Sequence, residues 1–415
     1  MRPRLLLLVS CLALMAGSPA LAQSRGLSLG DALAEAIRTN PELVALRQQA
    51  DAARAAIPES RFLDPPMLQT QIWGWPVTTL NPARTDMYMF MAEQELPGRG
   101  KRDARALVAA RDADVSGQQI NVRANAILDD VKQAYAELML ARATTDLYRE
   151  QKTVIENTAD TATLRYASGA SGQHDTAQAI AELARIDIEI VSAGERARLA
   201  EARLNTLLGR DPGAAVPALS AFDPAVPAEA DAEQIALQRH PEIAMADAEI
   251  AREEAELARL RGERKPDFTI GGGYMLQPGD AGAWTANAGI TWPNAPWSRG
   301  KVNTQIDVQE KRLAAARAAR TLAIARVRQS VQEAITRVAS ARTRVHLLDT
   351  SVLPHVEHAF EVARVSYATS RGEFSSLLDS ERLLLSTRMD LVTAQADQAR
   401  ALADLQMAIG DIPEN

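Results

Sequence analysis

The chain has 415 residues, a formal net charge of −7 and a single cysteine, Cys11. An acidic chain is a poor ligand for nucleic acid, and one thiol cannot form an internal disulfide. The length would suit two or three ordinary domains, but an internal repeat argues for another organisation.

Arg2 and Arg4 precede the apolar run Leu5 to Met15, and Ala20-x-Ala22 supplies the small residues that a signal peptidase needs. Residues 1–22 are therefore expected to be a secretory signal. Cutting after Ala22 would remove Cys11 and two arginines, taking the charge to −9 and leaving no cysteine for a lipid anchor. No later segment offers the ~18 consecutive apolar residues of a membrane-spanning helix.

A helix is expected from about Ser28 to Ile57, followed by strands at about 67–75 and 86–95. Leu68, Thr70 and Ile72 alternate with Gln69 and Gln71. Met87, Met89 and Met91 alternate with Tyr88 and Phe90, and the repeat puts these methionines on the side of Asn287, Gly289 and Thr291. They could contact soft cations such as Cu(I), or simply fill a wall. Arg99-Gly100-Lys101 then leads into a long helix, about 100–167. Glu95 stands where a phosphate loop needs glycine, and Arg102 where it needs Ser or Thr, so the Gly-Lys pair is not a nucleotide site.

Ile120, Ile127, Ala134, Ala141, Tyr148 and Ile155 fall seven apart in this helix, beside Ala124, Val131 and Leu138. A sustained heptad predicts helices that pack along their length with a supercoil. A turn containing Gly169 and Gly172 joins it to a return helix with a Leu183, Ile190, Ala197, Leu204 series, ending near Gly209. Residues 211–231 are rich in Pro and Gly and read as a linker between repeats at 23–210 and 232–415.

The second half repeats the first. Asn40-Pro41-Glu42-Leu43 returns as His240-Pro241-Glu242-Ile243, and Arg99-Gly100-Lys101 as Arg299-Gly300-Lys301, both 200 residues on. Tyr166-Ala167 returns as Tyr367-Ala368, and Leu208-Gly209 as Ile409-Gly410, both 201 on. Landmarks kept in order over this distance mark a duplicated domain. Strands are expected at about 267–276 and 283–292 and a second long helix at about 300–368, with Ile324, Val331, Val338, Val345 and Val352 seven apart. Its return helix carries Leu377, Leu384, Leu391 and Leu405, with Gln398 interrupting the series.

In the last strand Trp284, Ala286, Ala288, Ile290 and Trp292 share one face, against Thr285, Asn287, Gly289 and Thr291. One apolar face over nine or ten residues suits a strand tilted across a bilayer, with Trp73, Trp75, Trp284 and Trp292 at the interfaces. A soluble sheet with one buried face would read the same way. Four strands cannot close a membrane barrel, so copies would have to pool them. The basic pairs Arg99, Lys101, Arg299 and Lys301 would then reach lipid head groups while Gly100 and Gly300 permit the bend, unless they are merely solvated turns.

The duplication, "LSLGDALAEAIRTNPEL", the strand pairs, the heptad helices and the tip turns together resemble the TolC-like outer-membrane factor family, over essentially the whole mature chain. "DPPMLQTQ" and "AEQELPGRGKRDARALVAA" are similar to its heavy-metal efflux branch. The resemblance implies a mainly α protein with a β-barrel part: a homotrimer with a twelve-stranded barrel in the outer membrane of a Gram-negative bacterium, continued by a helical barrel across the periplasm. It implies a passive exit duct, for heavy-metal cations or else for drugs or secreted proteins. Its partners would be a periplasmic adaptor and an inner-membrane resistance-nodulation-division pump. Some members carry a lipidated cysteine; here anchoring would rest on the barrel. The tips, with Gly169, Gly172, Arg371 and Gly372, would meet the adaptor. Ser376 and Asp379 stand where the family often has two acidic residues, so Asp379 is the expected gate carboxylate, or else an ordinary exposed charge.

His355 and His358 are three apart and could share a helix face as metal ligands, although His355 also continues the Leu348 seam. No catalytic motif is present, so neither an enzyme nor a cofactor is expected. A periplasmic coiled-coil adaptor or structural protein is the competing class, but an adaptor would need more sheet than two strand pairs.

Overall fold

The computed structural model describes residues 26–78, 81, 84–169, 171–220, 231–369 and 371–411. The expected signal peptide at 1–22, and residues 221–230 of the expected linker, lie outside them. The same element order runs twice. The first pass is α1 (Leu29–Thr39), α2 (Pro41–Ala56), β1 (Met67–Trp73), β2 (Met87–Leu96), α3 (Lys101–Ala167) and α4 (Gln173–Leu207). The second is α5 (Ala232–Arg239), α6 (Pro241–Gly262), β3 (Asp267–Leu276), β4 (Ala283–Thr291), α7 (Arg299–Leu347), α8 (Leu353–Ala368) and α9 (Phe374–Ile409).

The expected single helix from Ser28 to Ile57 is two helices. Asn40 precedes a proline and takes φ −58, ψ 122, because the proline ring excludes the α region for the residue before it. Its side chain then caps α2, accepting from the Glu42 and Leu43 amides. His240 does the same for α6, with Nδ1 accepting from the Glu242 amide at 3.3 Å. Burial lowers the affinity of this ring for a proton, which keeps the accepting nitrogen free. The repeated Leu-Gly and Ile-Gly close the return helices against these corners. Gly209 and Gly410 hold φ of +70 and +76, and a Cβ on Gly209 would fall 2.6 Å from the Thr39 carbonyl oxygen. The two echoed motifs of each half thus meet in space.

α3 has 67 residues and spans about 100 Å at 1.5 Å per residue. Its expected seams are largely buried: Ile127, Ala134, Ala141 and Ile155, with Ala124, Val131 and Leu138. One core packs α3 against α1 and the end of α4, and a second repeats this with α7, α5 and α9. α3 also packs along α6 and α9, so the halves lie side by side. On α4 the buried row is Ala179, Ile186, Ala193 and Ala200, while of the expected series Leu204 is fully buried and Leu183, Ile190 and Ala197 are half-buried beside that row. The heptad was right in period and one row off in phase.

The second long helix is not continuous. A π-helical turn, Leu348–Val352, separates α7 from α8. Pro354 has no amide to give to the preceding turn, and its ring clashes with the carbonyl four residues back. A π turn takes up one residue more than an α turn. That is the residue by which the repeat offset grows from 200 to 201 between Lys101/Lys301 and Tyr166/Tyr367. The Ile324 seam fails at the same place: Val331 and Val338 are buried, Val345 is half-buried, and Val352 is 41% exposed.

The expected linker is not loose where it is described. Leu27 and Leu219 form a parallel bridge, and the Tyr135 hydroxyl lies 2.8 Å from both the Leu27 and Ser220 carbonyls. Arg142 donates to the Val216 and Pro217 carbonyls at 2.7 Å. Among the described residues no helix is long and apolar enough to cross a membrane.

Candidate functional site

The four strands form one antiparallel sheet in the order β1-β2-β3-β4. β1 and β4 are the edges, and among the described residues their outer sides have no partner strand. The register assigns each side chain to a face. Thr70, Phe90 and Tyr274 are in line, and Trp284 faces Tyr274 across β3–β4. This face is apolar and exposed: Ile270 is 51%, Ile290 62% and Trp284 83% accessible. No helix covers it. The Tyr274 and Trp284 rings meet on it, tilted at 59° with their centroids 5.0 Å apart.

The opposite face carries Gln69, Gln71, Glu93, Thr285, Asn287 and Thr291. Met87, Met89 and Met91 lie there too, with β3 standing between them and Asn287, Gly289 and Thr291. Trp73 departs from expectation. It pairs with Met87 on this polar face, and its indole donates to Gln71 at 3.3 Å. Odd positions of β1 face the glutamines, so Trp73 cannot join Trp284 on the apolar face. Trp75 and Trp292 lie just beyond strand ends, 43% and 57% exposed.

The two Arg-Gly-Lys copies are not equivalent. Gly100 caps α3 at φ +84, a conformation open to glycine at little cost. Lys101 is 1% exposed, 2.7 Å from Asp267 and 2.9 Å from Glu263. Asp267 also accepts from the Gly98 amide at 2.7 Å. Lys101 therefore does not reach for head groups; it clasps the first half to the second, where two carboxylates and burial hold it. Arg99 is exposed, and its carbonyl accepts from Lys265. Arg299 opens α7, Gly300 lies within the helix, and Lys301 is exposed. β4 ends at Thr291, so more chain separates strand and basic motif here than after β2.

At the far end of the helices the two hairpin tips are tied together. Arg165 donates to the Tyr367 carbonyl, and its guanidinium lies 4.5 Å over the Tyr367 ring. Phe374 meets the same ring edge-on at 5.4 Å. Gly169 turns the first tip at φ +76, and Gly172 precedes α4. In the second tip Arg371 and Gly372 donate their amides to the Ser366 carbonyl, while the Arg371 side chain is exposed.

Asp379 is exposed on α9, 76% accessible, with Arg382 of its own helix 3.8 Å away. Two residues on, Glu381 is 1% exposed. One of its oxygens accepts from Gln151 of α3 at 3.0 Å, and the other is buried without a partner. Burial, and then the Glu182 carboxylate of α4, push Glu381 up to about 7. Burial also works against the charge of Glu182, but hydrogen bonds from Arg185 and Arg382 outweigh it and hold that carboxyl below its ordinary range. Sequence reading missed Glu381 and Glu182, because nothing in a heptad says which charged residue lies at a helix contact.

His355 and His358 are both exposed on α8, and His355 Nδ1 lies 2.6 Å from the Ser351 carbonyl. The π turn shifts His355 out of the seam that Leu348 suggested. Among the described residues no group of three or more His, Cys, Asp or Glu is placed to hold a metal ion.

The family described as outer membrane efflux protein matches residues 32–210 and 233–411. The cobalt-zinc-cadmium resistance protein CzcC of Cupriavidus metallidurans is 25% identical over 396 residues, covering 92% of this chain and 90% of that protein. The open state of the MtrE outer membrane channel of Neisseria gonorrhoeae superposes with a TM-score of 0.75 at 20% identity, covering 92% of this chain and 88% of that one. CusC superposes with a TM-score of 0.74 at 18% identity, covering 94% and 95%. At such identities the two structures speak for the fold.

Proposed function

The chain belongs to the outer membrane efflux protein family, and on that premise we propose that three copies form a passive exit duct for metal cations. The observation that carries this reading is the sheet: four strands, two unpaired edges and one uncovered apolar face. Lipid tolerates no open edge, so the edges must find each other between copies. Two copies would give eight strands, whose interior side chains fill. Three give twelve and leave a lumen. Exposed apolar positions on α4, Ile180, Ile188, Val191 and Leu199, would supply further contact between copies.

The barrel would sit in the outer membrane of a Gram-negative bacterium, and the helices would carry the tube through the periplasm. The tips, with Gly169, Gly172, Arg371 and Gly372, would meet a periplasmic adaptor and an inner-membrane resistance-nodulation-division pump. Asp379 would line the entrance. Metal cations are proposed as cargo because CzcC is named for cobalt, zinc and cadmium resistance and because the sequence resembles the heavy-metal branch.

The test is expression of the full chain followed by membrane fractionation. The protein should appear in the outer-membrane fraction and migrate in detergent as a trimer that boiling dissociates. Deleting the gene should lower tolerance to divalent metals. A water-soluble monomer would sink the duct; a trimer whose loss changes only drug tolerance would sink the metal cargo.

A further inference from the structure

The polar face of the sheet carries more methionine than its surroundings explain. Met67, Met87, Met89, Met91 and Met275 all lie on it, five of the eleven methionines in the chain. Met275 was not singled out from the sequence; the register puts it directly across from Met89, with Met87 and Met91 on the diagonals. Directly opposed Cβ atoms lie about 5 Å apart and diagonal ones about 7 Å, within reach of side chains with three rotatable bonds. β3 leaves room for them. A Cβ on Gly273 would fall 3.0 Å from the Met91 Cγ, so the Met91 side chain lies over a glycine.

Packing does not account for this patch. The four residues Met87, Met89, Met91 and Met275 are only half-buried, and none belongs to a described core cluster. Apart from Trp73 beside Met87 and Ala283 beside Met275, the face they share is Gln, Glu, Asp, Thr, Asn and Gly, as suits the water side of a membrane barrel. What thioethers add to such a wall is soft, uncharged ligation, which selects Cu(I)-like ions over borderline and hard divalent ions. A ring of several weak sites also suits conduction, since an ion must leave as readily as it enters.

We propose that Met87, Met89, Met91 and Met275 form a thioether site in the duct wall that takes soft monovalent cations, Cu(I) and Ag(I). The inference rests on the duct reading, which turns this face towards the lumen. It deepens that reading by widening the cargo beyond divalent metals.

Silver is the probe. The trimer purified in detergent is titrated with Ag(I) by calorimetry, and in parallel with Zn(II) and Co(II). The comparison is M87L/M89L/M91L/M275L, since Met→Leu nearly conserves volume. The wild type should bind Ag(I) with sulfur ligation in X-ray absorption, and the variant should bind it at least about tenfold more weakly. The Zn(II) and Co(II) isotherms should not differ between them. If the quadruple variant fails to form trimers, M275L alone removes the centre of the patch and should still weaken Ag(I) binding. Unchanged Ag(I) binding in the variants, or none in the wild type, overturns the site and leaves the duct standing. A water-soluble monomer that nonetheless binds Ag(I) through sulfur overturns the duct instead.

Discussion

Lys101 and Lys301 look alike in sequence and do different work. Lys101 lies at the junction of β2 and β3, where the next repeat supplies Glu263 and Asp267. The positions that repeat these two acids, 200 residues earlier, are Leu63 and Met67. A neighbouring copy therefore offers Lys301 no matching clasp. Removing Lys101 strands two partly buried carboxylates, which costs far more than removing an exposed charge. Lys101→Ala should destabilise the protein by about 3 kcal/mol and Lys301→Ala by less than about 0.5 kcal/mol, read from urea midpoints of the detergent-solubilised protein. Equal effects would mean that the clasp is not what holds the two halves. No feature of "GRGK" or "SRGK" separates the two lysines, because the difference lies in what stands opposite them.

The elements were legible where a period was long and uninterrupted. Alternation in 267–276 marks a strand because a sheet has only two faces, and the α3 heptad marks a helix because side chains seven apart return to the same face of it. The π turn was not legible as such, although Pro354 and the one-residue growth of the repeat offset were both in view. Glu381 belongs to this scale too, since it sits where α9 meets α3 and α4. Its folded titration point of about 7 lies above the ordinary 4.5, so the folded state holds the proton more tightly than the unfolded one. Its contribution to stability is thus full below about pH 4.5 and is lost as pH rises through 7. Facing it are Gln151 on α3, Glu182 on α4, itself held charged by Arg185 and Arg382, and Arg382 on α9. Between pH 5.5 and 8 the wild type should lose about 2 kcal/mol relative to Glu381→Gln. Parallel pH profiles of the two proteins in urea unfolding would count against this.

At the scale of the whole molecule, the internal repeat predicts how copies join. Pro66 returns as Pro266, an offset of 200, and Leu96-Pro97 returns as Trp292-Pro293, an offset of 196. In the β2–β3 pairing Gln94 faces Ile270. Carrying that pairing over to β4 and the β1 of a neighbour sets Ile290 opposite Thr70 and Gly289 opposite Gln71. Faces agree, since Thr70 and Ile290 are both on the apolar side. Cys11 is the single cysteine of the chain, so T70C/I290C and Q71C/G289C made with Cys11 replaced by Ser give a clean background. One of the two is a close, non-hydrogen-bonded pair and should oxidise to covalent dimers and trimers; monomer alone from both would refute this junction. The sequence by itself determined the periods, the duplication and the class of fold, because these follow from local geometry repeated along the chain. The tertiary structure decided which lysine is buried, which face Trp73 takes, where the seam fails and which methionines share a face. Those depend on register across strands and helices hundreds of residues apart, and a shift of one residue there moves a side chain to the other side of the wall.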